Sequence, residues 1–229
     1  KRDEKEKFNI ISQTREANKA SEENDKKIED LREKYNRATS QAEKDSIRKK
    51  MNDADREFLA NQKLEEGLNL YYDNDYSGAI KLYNEALKLK PNDDLIYFAR
   101  GIVYADLGQN EQAIKDYDKA IVLNPNDADA YNNRGLAYRK LGQYDQALQD
   151  FTKAISLNSN FYMAYSNRGL VYSQLGQYEL ALKDHNKALE INPNYFGAYN
   201  NRGIVYVKLK KYDQAIKDFD KVIALNPKF

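Results

Sequence analysis

The organisation of the chain is visible in residues 94–127, DLIYFARGIVYADLGQNEQAIKDYDKAIVLNPND. Apolar residues recur there at three- and four-residue spacing, which predicts a first helix over about 94–107. Gly108 interrupts the pattern. A second apolar stripe begins near Glu111 and stops just before Pro125, where proline cannot continue a helix. The stretch therefore predicts two helices joined by a short turn.

The same two-helix unit recurs with a period of 34 residues, marked most clearly by glycine, proline and alanine. The series are Gly67, Gly101, Gly135, Gly169 and Gly203; Gly108, Gly142 and Gly176; Pro91, Pro125, Pro193 and Pro227; and Ala79, Ala113, Ala147, Ala181 and Ala215. A fixed period of this size predicts a solenoid of small repeated units. Glycine inside a helix costs about 1 kcal/mol relative to alanine, so we expect a neighbouring backbone to pass close to the first series.

These units resemble tetratricopeptide (TPR) repeats. Within 94–127 the matching residues are Tyr97, Gly101, Tyr104, Ala113, Tyr117, Ala120 and Pro125. Five repeats follow one another in register, at 60–93, 94–127, 128–161, 162–195 and 196–229. The resemblance implies an all-α fold, a right-handed TPR solenoid of five helix–turn–helix repeats, whose first helices line a concave groove.

Residues 1–59 differ from the repeats and form a separate charged segment. They hold 16 basic and 15 acidic residues and neither glycine nor proline. We expect one long helix or two, with a break at Thr39 and Ser40 and a capping box from Ser40 to Glu43. The segment is either a solvated charged helix or a helix that packs on something, for example as a coiled coil. In the second case Ile47, Met51, Ala54 and Phe58 would shield the end of repeat one.

Composition excludes several functional classes. The 37 basic and 36 acidic residues give a net charge of +1, which argues against a nucleic-acid partner and an anionic membrane surface. There is no cysteine, one histidine and no apolar run long enough to insert into a membrane. No catalytic or nucleotide-binding motif is present, so we expect no enzymatic activity, cofactor or metal. His185 fills an aromatic position of the repeat and is interpreted as a packing residue.

The resemblance places the sixth residue of each repeat on the groove. There the last three repeats carry an asparagine row, similar to that of glycosyltransferase-associated TPR repeats, which grip extended peptides. A row of this kind could also reflect repeat duplication without selection for binding. Apolar and basic residues accompany it. The candidate peptide-binding residues are Asn132, Asn133, Asn167, Asn200, Asn201, Leu136, Leu170, Ile204, Arg139, Lys140, Lys208, Phe98 and Ile102.

The function predicted from these features is a protein–protein interaction scaffold that binds a peptide or a helix in its groove. Two alternatives stay open: a structural module that forms homo-oligomers through the N-terminal helix or the uncapped last repeat, and an accessory domain of a larger protein. The chain does not begin with methionine, so we expect it to be part of a longer or processed protein. Its compartment is undetermined, with the cytoplasm favoured.

Two further expectations concern the architecture. Arg100, Arg134, Arg168 and Arg202 share one repeat position, and Asp116, Asp150, Asp184 and Asp218 share another. We predict an Arg–Asp pair joining the two helices of each of these repeats. The alternatives are that each Asp pairs with the Arg of the next repeat, which would leave Arg100 and Asp218 without partners, or that the two rows face solvent independently. The last helix ends without a polar capping helix, so its outer apolar surface, including Ile216, should be open.

Overall fold

A computed structural model describes residue 23 and residues 26–226. The start of the charged segment and the end of repeat five, residues 227–229, lie outside the described residues. The regular structure of the described part is helical. The helices are α1 (26–37), α2 (Gln41–Tyr72), α3 (Tyr76–Leu89), α4 (Asp94–Asp106), α5 (Asn110–Leu123), α6 (Ala128–Lys140), α7 (Tyr144–Leu157), α8 (Tyr162–Gln174), α9 (Tyr178–Ile191), α10 (Phe196–Lys208) and α11 (Tyr212–Leu225). Each predicted repeat contains one helix pair, which confirms the helix–turn–helix prediction.

The chain divides into two compact units, residues 1–103 and 104–229. In the first unit α2 is a single helix of 32 residues that begins in the charged segment and ends in repeat one. Ser40 caps it by accepting a hydrogen bond from the backbone N–H of Glu43 at 3.1 Å, as the capping box predicted. The C-terminal part of α2 belongs to the helix pair with α3.

The N-terminal part of α2 is covered by α1. Ile47 is buried in one cluster with Leu31 and Ala38, and Tyr35 and Met51 pack against it. The predicted break near Ser40 is therefore confirmed, and α1 folds back on α2. The prediction that Ile47 and Met51 shield repeat one is wrong, because their cluster lies in the α1–α2 hairpin.

The turn between the two helices of every repeat uses a left-handed residue at the same position. Gly108, Gly142 and Gly176 have φ angles of 76°, 75° and 74°. Asn74 and Lys210 hold the equivalent places in repeats one and five with φ of 64° and 59°. The glycine series of the three central repeats is thus explained by the backbone that the turn requires.

The glycines inside the first helices are explained by side chains of the second helices. A Cβ atom at Gly135 would lie 2.8 Å from Cε1 of Phe151, and one at Gly203 would lie 2.6 Å from Cε1 of Phe219. At Gly169 the same atom would lie 2.9 Å from Cε1 of His185. At each of these three glycines the nearest atom belongs to a ring of the same repeat rather than to a neighbouring backbone; only at Gly169 does a backbone atom, the carbonyl oxygen of Ala181, also lie close, at 3.2 Å.

The predicted Arg–Asp pairs form in the last three repeats. Nη2 of Arg134 donates to Asp150 at 2.7 Å, and Nε of Arg168 donates to Asp184 at 2.7 Å. The third pair joins Arg202 to Asp218 at 2.6 Å. All three carboxylate side chains are about 6% exposed and the arginine side chains 17–19%, so these are partly buried pairs rather than solvent-facing rows. The pair of Arg100 with Asp116 would join residues of the two different units and stays a prediction.

Each of these arginines also reaches the preceding repeat. Nη1 of Arg134 donates to Asp118 at 2.6 Å, and Nη1 of Arg168 donates to the hydroxyl of Thr152 at 3.1 Å. Nη1 of Arg202 donates to the side-chain oxygen of Asn186 at 2.6 Å. Each arginine therefore joins the two helices of its own repeat and also binds the second helix of the preceding repeat. These second acceptors were not predicted, because no charge pattern marks Thr152 or Asn186.

Candidate peptide-binding surface

The first helices of repeats three to five form one layer, which we call the A layer (α6, α8 and α10). Helix α8 contacts both α6 and α10. Residues 34 positions apart occupy equivalent places on these helices, so they follow one another across the layer. The A layer is therefore where the asparagine row, the apolar row and the basic residues come together.

The asparagine amides of the A layer bond to neighbouring helices. Nδ2 of Asn167 donates to the side-chain oxygen of Asn132 at 2.9 Å, and Nδ2 of Asn201 donates to the hydroxyl of Ser166 at 3.5 Å. In both cases the sixth residue of one repeat reaches the fifth residue of the repeat before it. The sequence contains this 35-residue spacing, but spacing alone does not distinguish contacts between repeats from contacts with a ligand.

Two of the predicted contact residues lie inside the protein. Asn132 is 1% exposed and Asn133 is 2% exposed. Nδ2 of Asn133 donates to the backbone carbonyl of Asp129 at 2.9 Å, one turn earlier in α6. The prediction that these two amides touch a ligand is wrong, because both side chains are buried. Asn167, Asn200 and Asn201 are half-buried and accessible in part.

The apolar row of the A layer is accessible along its length. Leu136 and Leu170 are half-buried, and Ile204 is 42% exposed. In the first unit, however, Phe98 and Ile102 are 6% and 2% exposed. The prediction that Phe98 and Ile102 contact a ligand is therefore wrong, because both side chains are buried. The apolar character of a residue in the sequence does not show whether its side chain is accessible, as in Ile204, or buried, as in Ile102.

The basic residues near the end of the first helices differ in their surroundings. Lys140 is exposed, although its Nζ donates to the carbonyl of Ala105 at 3.2 Å. Lys208 is also exposed. Arg139 is half-buried, its Nε has no hydrogen-bond partner among the described residues, and burial lowers its pKa. Lys140 and Lys208 thus supply accessible positive charge beside the apolar row.

A cavity lies between α8 and α9 of repeat four. It has a volume of about 410 Å³ and was not singled out from the sequence. Its lining residues include Tyr165, Arg168, Lys183, Asp184 and Lys187. Most of its charges are already paired, since Arg168 binds Asp184 and Lys187 lies 2.7 Å from Glu190. The region is therefore part of the inter-helix contact rather than a site with free polar groups.

His185 was interpreted as a packing residue, and the structure agrees. It is fully buried, and neither ring nitrogen has a hydrogen-bond partner among the described residues. Burial lowers its pKa to about 4, and the charge of Arg202 adds to the effect. Within residues 26–226, no cluster of three or more histidine and carboxylate side chains could hold a metal ion. None of the described helices combines the length and the hydropathy needed to cross a membrane.

Models of known protein families match most of the repeat region. It belongs to the tetratricopeptide repeat family: a model described as TPR repeat matches residues 67–108 and 103–142, and one described as tetratricopeptide repeat matches residues 128–161, 162–195 and 197–229. The fold is therefore the TPR solenoid that the sequence predicted, and proteins with this fold are protein-interaction scaffolds. No curated protein matches the chain significantly in a sequence search.

Several solved structures share the fold. MamA is 31% identical with a TM-score of 0.63, over 71% of this chain and 95% of MamA. YrrB, described as a TPR protein with an unusual peptide-binding site, is 25% identical with a TM-score of 0.58, over 72% of this chain and 86% of YrrB. PilF of Pseudomonas aeruginosa is 21% identical with a TM-score of 0.68, over 75% of this chain and 78% of PilF, and shows the fold alone.

Proposed function

We propose that this chain is a non-catalytic scaffold that binds an extended peptide or a helix of a partner protein on the A layer. The observation that carries the proposal is the accessible apolar row of Leu136, Leu170 and Ile204, which continues across three consecutive repeats. A continuous row of this kind can hold apolar side chains of a ligand in succession. The unusual peptide-binding site of YrrB, a protein of similar fold, supports the same class of function.

The polar residues around the apolar row can hydrogen-bond the peptide backbone and favour ligands with negative charge. The half-buried amides of Asn167 and Asn201 each have a second donor hydrogen that the contacts between repeats do not use. Exposed Lys140 and Lys208 lie near the C-terminal ends of α6 and α10 and favour acidic residues in the ligand. We therefore expect a peptide with spaced apolar residues and an acidic flank.

The test is selection of peptides from a random displayed library on the full chain, followed by titration calorimetry. Leu170→Glu should weaken binding of the selected peptides at least tenfold, equivalent to about 1.4 kcal/mol, because it places a charge in the apolar row. Val122→Glu is the matched control, since Val122 is 78% exposed on α5, outside the A layer. Peptides that bind the Leu170→Glu protein as tightly as the unchanged protein would refute the proposal.

The salt dependence of peptide binding tests the contribution of the two lysines. Raised salt should weaken binding of acidic peptides to the unchanged protein, because added ions screen exposed charges such as Lys140 and Lys208. Lys140→Gln and Lys208→Gln together should remove most of that salt dependence. An identical salt dependence in the double variant would place the ionic contact elsewhere on the chain.

A further inference from the structure

The helices of the A layer follow one another at a regular spacing. Nδ2 of Asn167 on α8 donates to Asn132 on α6, and Nδ2 of Asn201 on α10 donates to Ser166 on α8. The two steps across the layer therefore use the same contact, from the sixth residue of one repeat to the fifth residue of the repeat before it. Helices that pack side by side lie about 8–10 Å apart. Equivalent side chains of successive repeats are therefore separated by about this interval.

The apolar row offers a ligand one contact per interval. Leu136 and Leu170 are half-buried, and Ile204 is 42% exposed. The first two residues belong to repeats that have a repeat on either side. The row therefore does not depend on the open surface predicted for the last helix, which the 57% exposure of Ile216 confirms. A ligand that uses the whole row must present an apolar side chain about every 8–10 Å.

Two regular peptide conformations meet this requirement. A polyproline II helix rises about 3.1 Å per residue with three residues per turn, so every third side chain lies on one face, about 9 Å apart. An α-helix places every seventh side chain on one face, about 10.5 Å apart. In a β-strand, side chains on the same face are about 7 or 13 Å apart, which does not fit. The spacing alone thus leaves polyproline II and the α-helix as candidates.

The amides of the A layer favour polyproline II. Asn167 and Asn201 lie three residues before Leu170 and Ile204 on the same helices, so each amide is a neighbour of one apolar contact. Each amide keeps one donor hydrogen that the contacts between repeats do not use. Most carbonyls of an α-helix are already bonded within the helix, whereas all carbonyls of a polyproline II helix are free. Only the second conformation offers acceptors along its whole length.

We propose that the A layer binds its ligand as a polyproline II helix with an apolar side chain at every third residue. This inference rests on the proposed function and adds the conformation and the spacing of the ligand. Three successive apolar side chains of the ligand contact Leu136, Leu170 and Ile204. Two carbonyls three residues apart accept hydrogen bonds from Asn167 and Asn201.

Proline suits the positions between the apolar residues of such a ligand. The asparagine amides donate to the ligand backbone and need only its carbonyls, which proline retains although it lacks an N–H group. Proline also favours the polyproline II conformation before binding, so less conformational entropy is lost in the complex. In a helical ligand the same prolines would break the helix and abolish binding.

The experiment compares three labelled peptides by fluorescence anisotropy with the full chain, each ending in the same two glutamates. The first consists of three Leu-Pro-Pro units. The second consists of three Leu-Pro-Pro-Pro units, in which successive leucines are about 12 Å apart and on different faces. The third is an alanine-rich helix with a leucine at every seventh residue. The first peptide should bind saturably, with one-to-one stoichiometry, and at least tenfold more tightly than either of the others.

Variants of the protein locate the bound peptide. Leu170→Glu should weaken binding of the Leu-Pro-Pro peptide at least tenfold, and Asn201→Ala about fivefold, because it removes one hydrogen bond to the ligand. Asn126→Ala, which removes an exposed amide in the turn between α5 and α6, is the matched control and should leave binding unchanged. The bond from Asn201 to Ser166 is long, at 3.5 Å, so Asn201→Ala should keep the melting temperature of the unchanged protein.

Four results would overturn the inference. They are equal binding of the first two peptides, tighter binding of the helical peptide, no binding of the Leu-Pro-Pro peptide, and binding of that peptide that ignores both Leu170→Glu and Asn201→Ala. If the helical peptide binds most tightly and Leu170→Glu abolishes its binding, the polyproline II conformation is wrong while the proposed function stands.

Discussion

Arg168 makes three kinds of contact from one position in α8. It donates to Asp184 in its own repeat and to Thr152 in the preceding repeat, at 2.7 Å and 3.1 Å. Its guanidinium also lies over the rings of Tyr165 and Tyr172, at 5.7 Å and 6.0 Å from their centroids. The hydrogen bond to Asp184 raises the pKa of Arg168 and outweighs the opposing effect of burial. Arg168 is therefore charged at neutral pH.

Removing one partner of this pair should be costly. Asp184→Ala leaves the partly buried guanidinium of Arg168 without its main acceptor and should reduce the free energy of unfolding by about 3 kcal/mol. Arg168→Met with Asp184→Leu should recover much of that loss, because no buried charge is then left unpaired. Urea denaturation measures both. The control is Glu190→Gln in the exposed pair with Lys187, which should leave the midpoint unchanged. Equal midpoints for Asp184→Ala and Glu190→Gln would contradict the structural importance of the pair.

His185 should make repeat four sensitive to acid. Its pKa is about 4 in the folded protein and about 6.5 in the unfolded chain, because burial disfavours the charged ring. The stability that a neutral His185 contributes is thus complete above pH 6.5 and is lost as the pH falls towards 4. His185→Phe, which copies Phe151 of repeat three, should raise the melting temperature more at about pH 5 than at about pH 7.5. The same gain at both pH values would show that His185 does not titrate in this way.

At the scale of the helix pair, a glycine and an aromatic ring set the closest approach. Gly135→Ala would bring a methyl group within 2.8 Å of Phe151, which is fully buried and cannot move aside. We expect a loss of about 1–3 kcal/mol in the free energy of unfolding. Gly197→Ala is the matched control in the first turn of α10, where the nearest atom is the ring end of Tyr195 at 3.0 Å. Calorimetric melting curves of the two variants should differ clearly, and superimposable curves would contradict the close-packing explanation.

The helix pairs were predictable from the sequence because their determinants are local and repeat five times. The turn between the two helices requires a left-handed residue, and Gly142 supplies it. The Arg134–Asp150 pair is predictable because the arginines and the aspartates both recur every 34 residues. The accessibility of a position was less predictable, since it depends on the neighbouring repeat. Asn133 and Asn167 share a repeat position, yet Asn133 is buried and Asn167 is partly accessible. The sequence shows which positions are equivalent but not which neighbouring side chains cover them.

At the scale of the whole chain, the N-terminal segment and the repeats are joined by continuous helix. Helix α2 runs through the predicted boundary at residue 59 without a break, and Lys90 after α3 lies 3.4 Å from Glu57 of α2. Deletion of residues 1–59 should therefore lower the melting temperature, because repeat one loses this contact and the preceding turns of its first helix. Deletion of residues 1–22, which are outside the described part, serves as the control. An unchanged melting temperature after the longer deletion would favour the solvated-helix interpretation.

The most direct test of the proposed function is to map where a selected peptide binds. The measurement is nuclear magnetic resonance of the amide signals of the full chain during titration with an acidic, apolar peptide from the library. We predict that the shifted signals cluster on α6, α8 and α10, around Leu136, Leu170 and Ile204, and that Leu170→Glu abolishes them. Shifts confined to α5, α7 and α9, with the A layer unperturbed, would contradict the account.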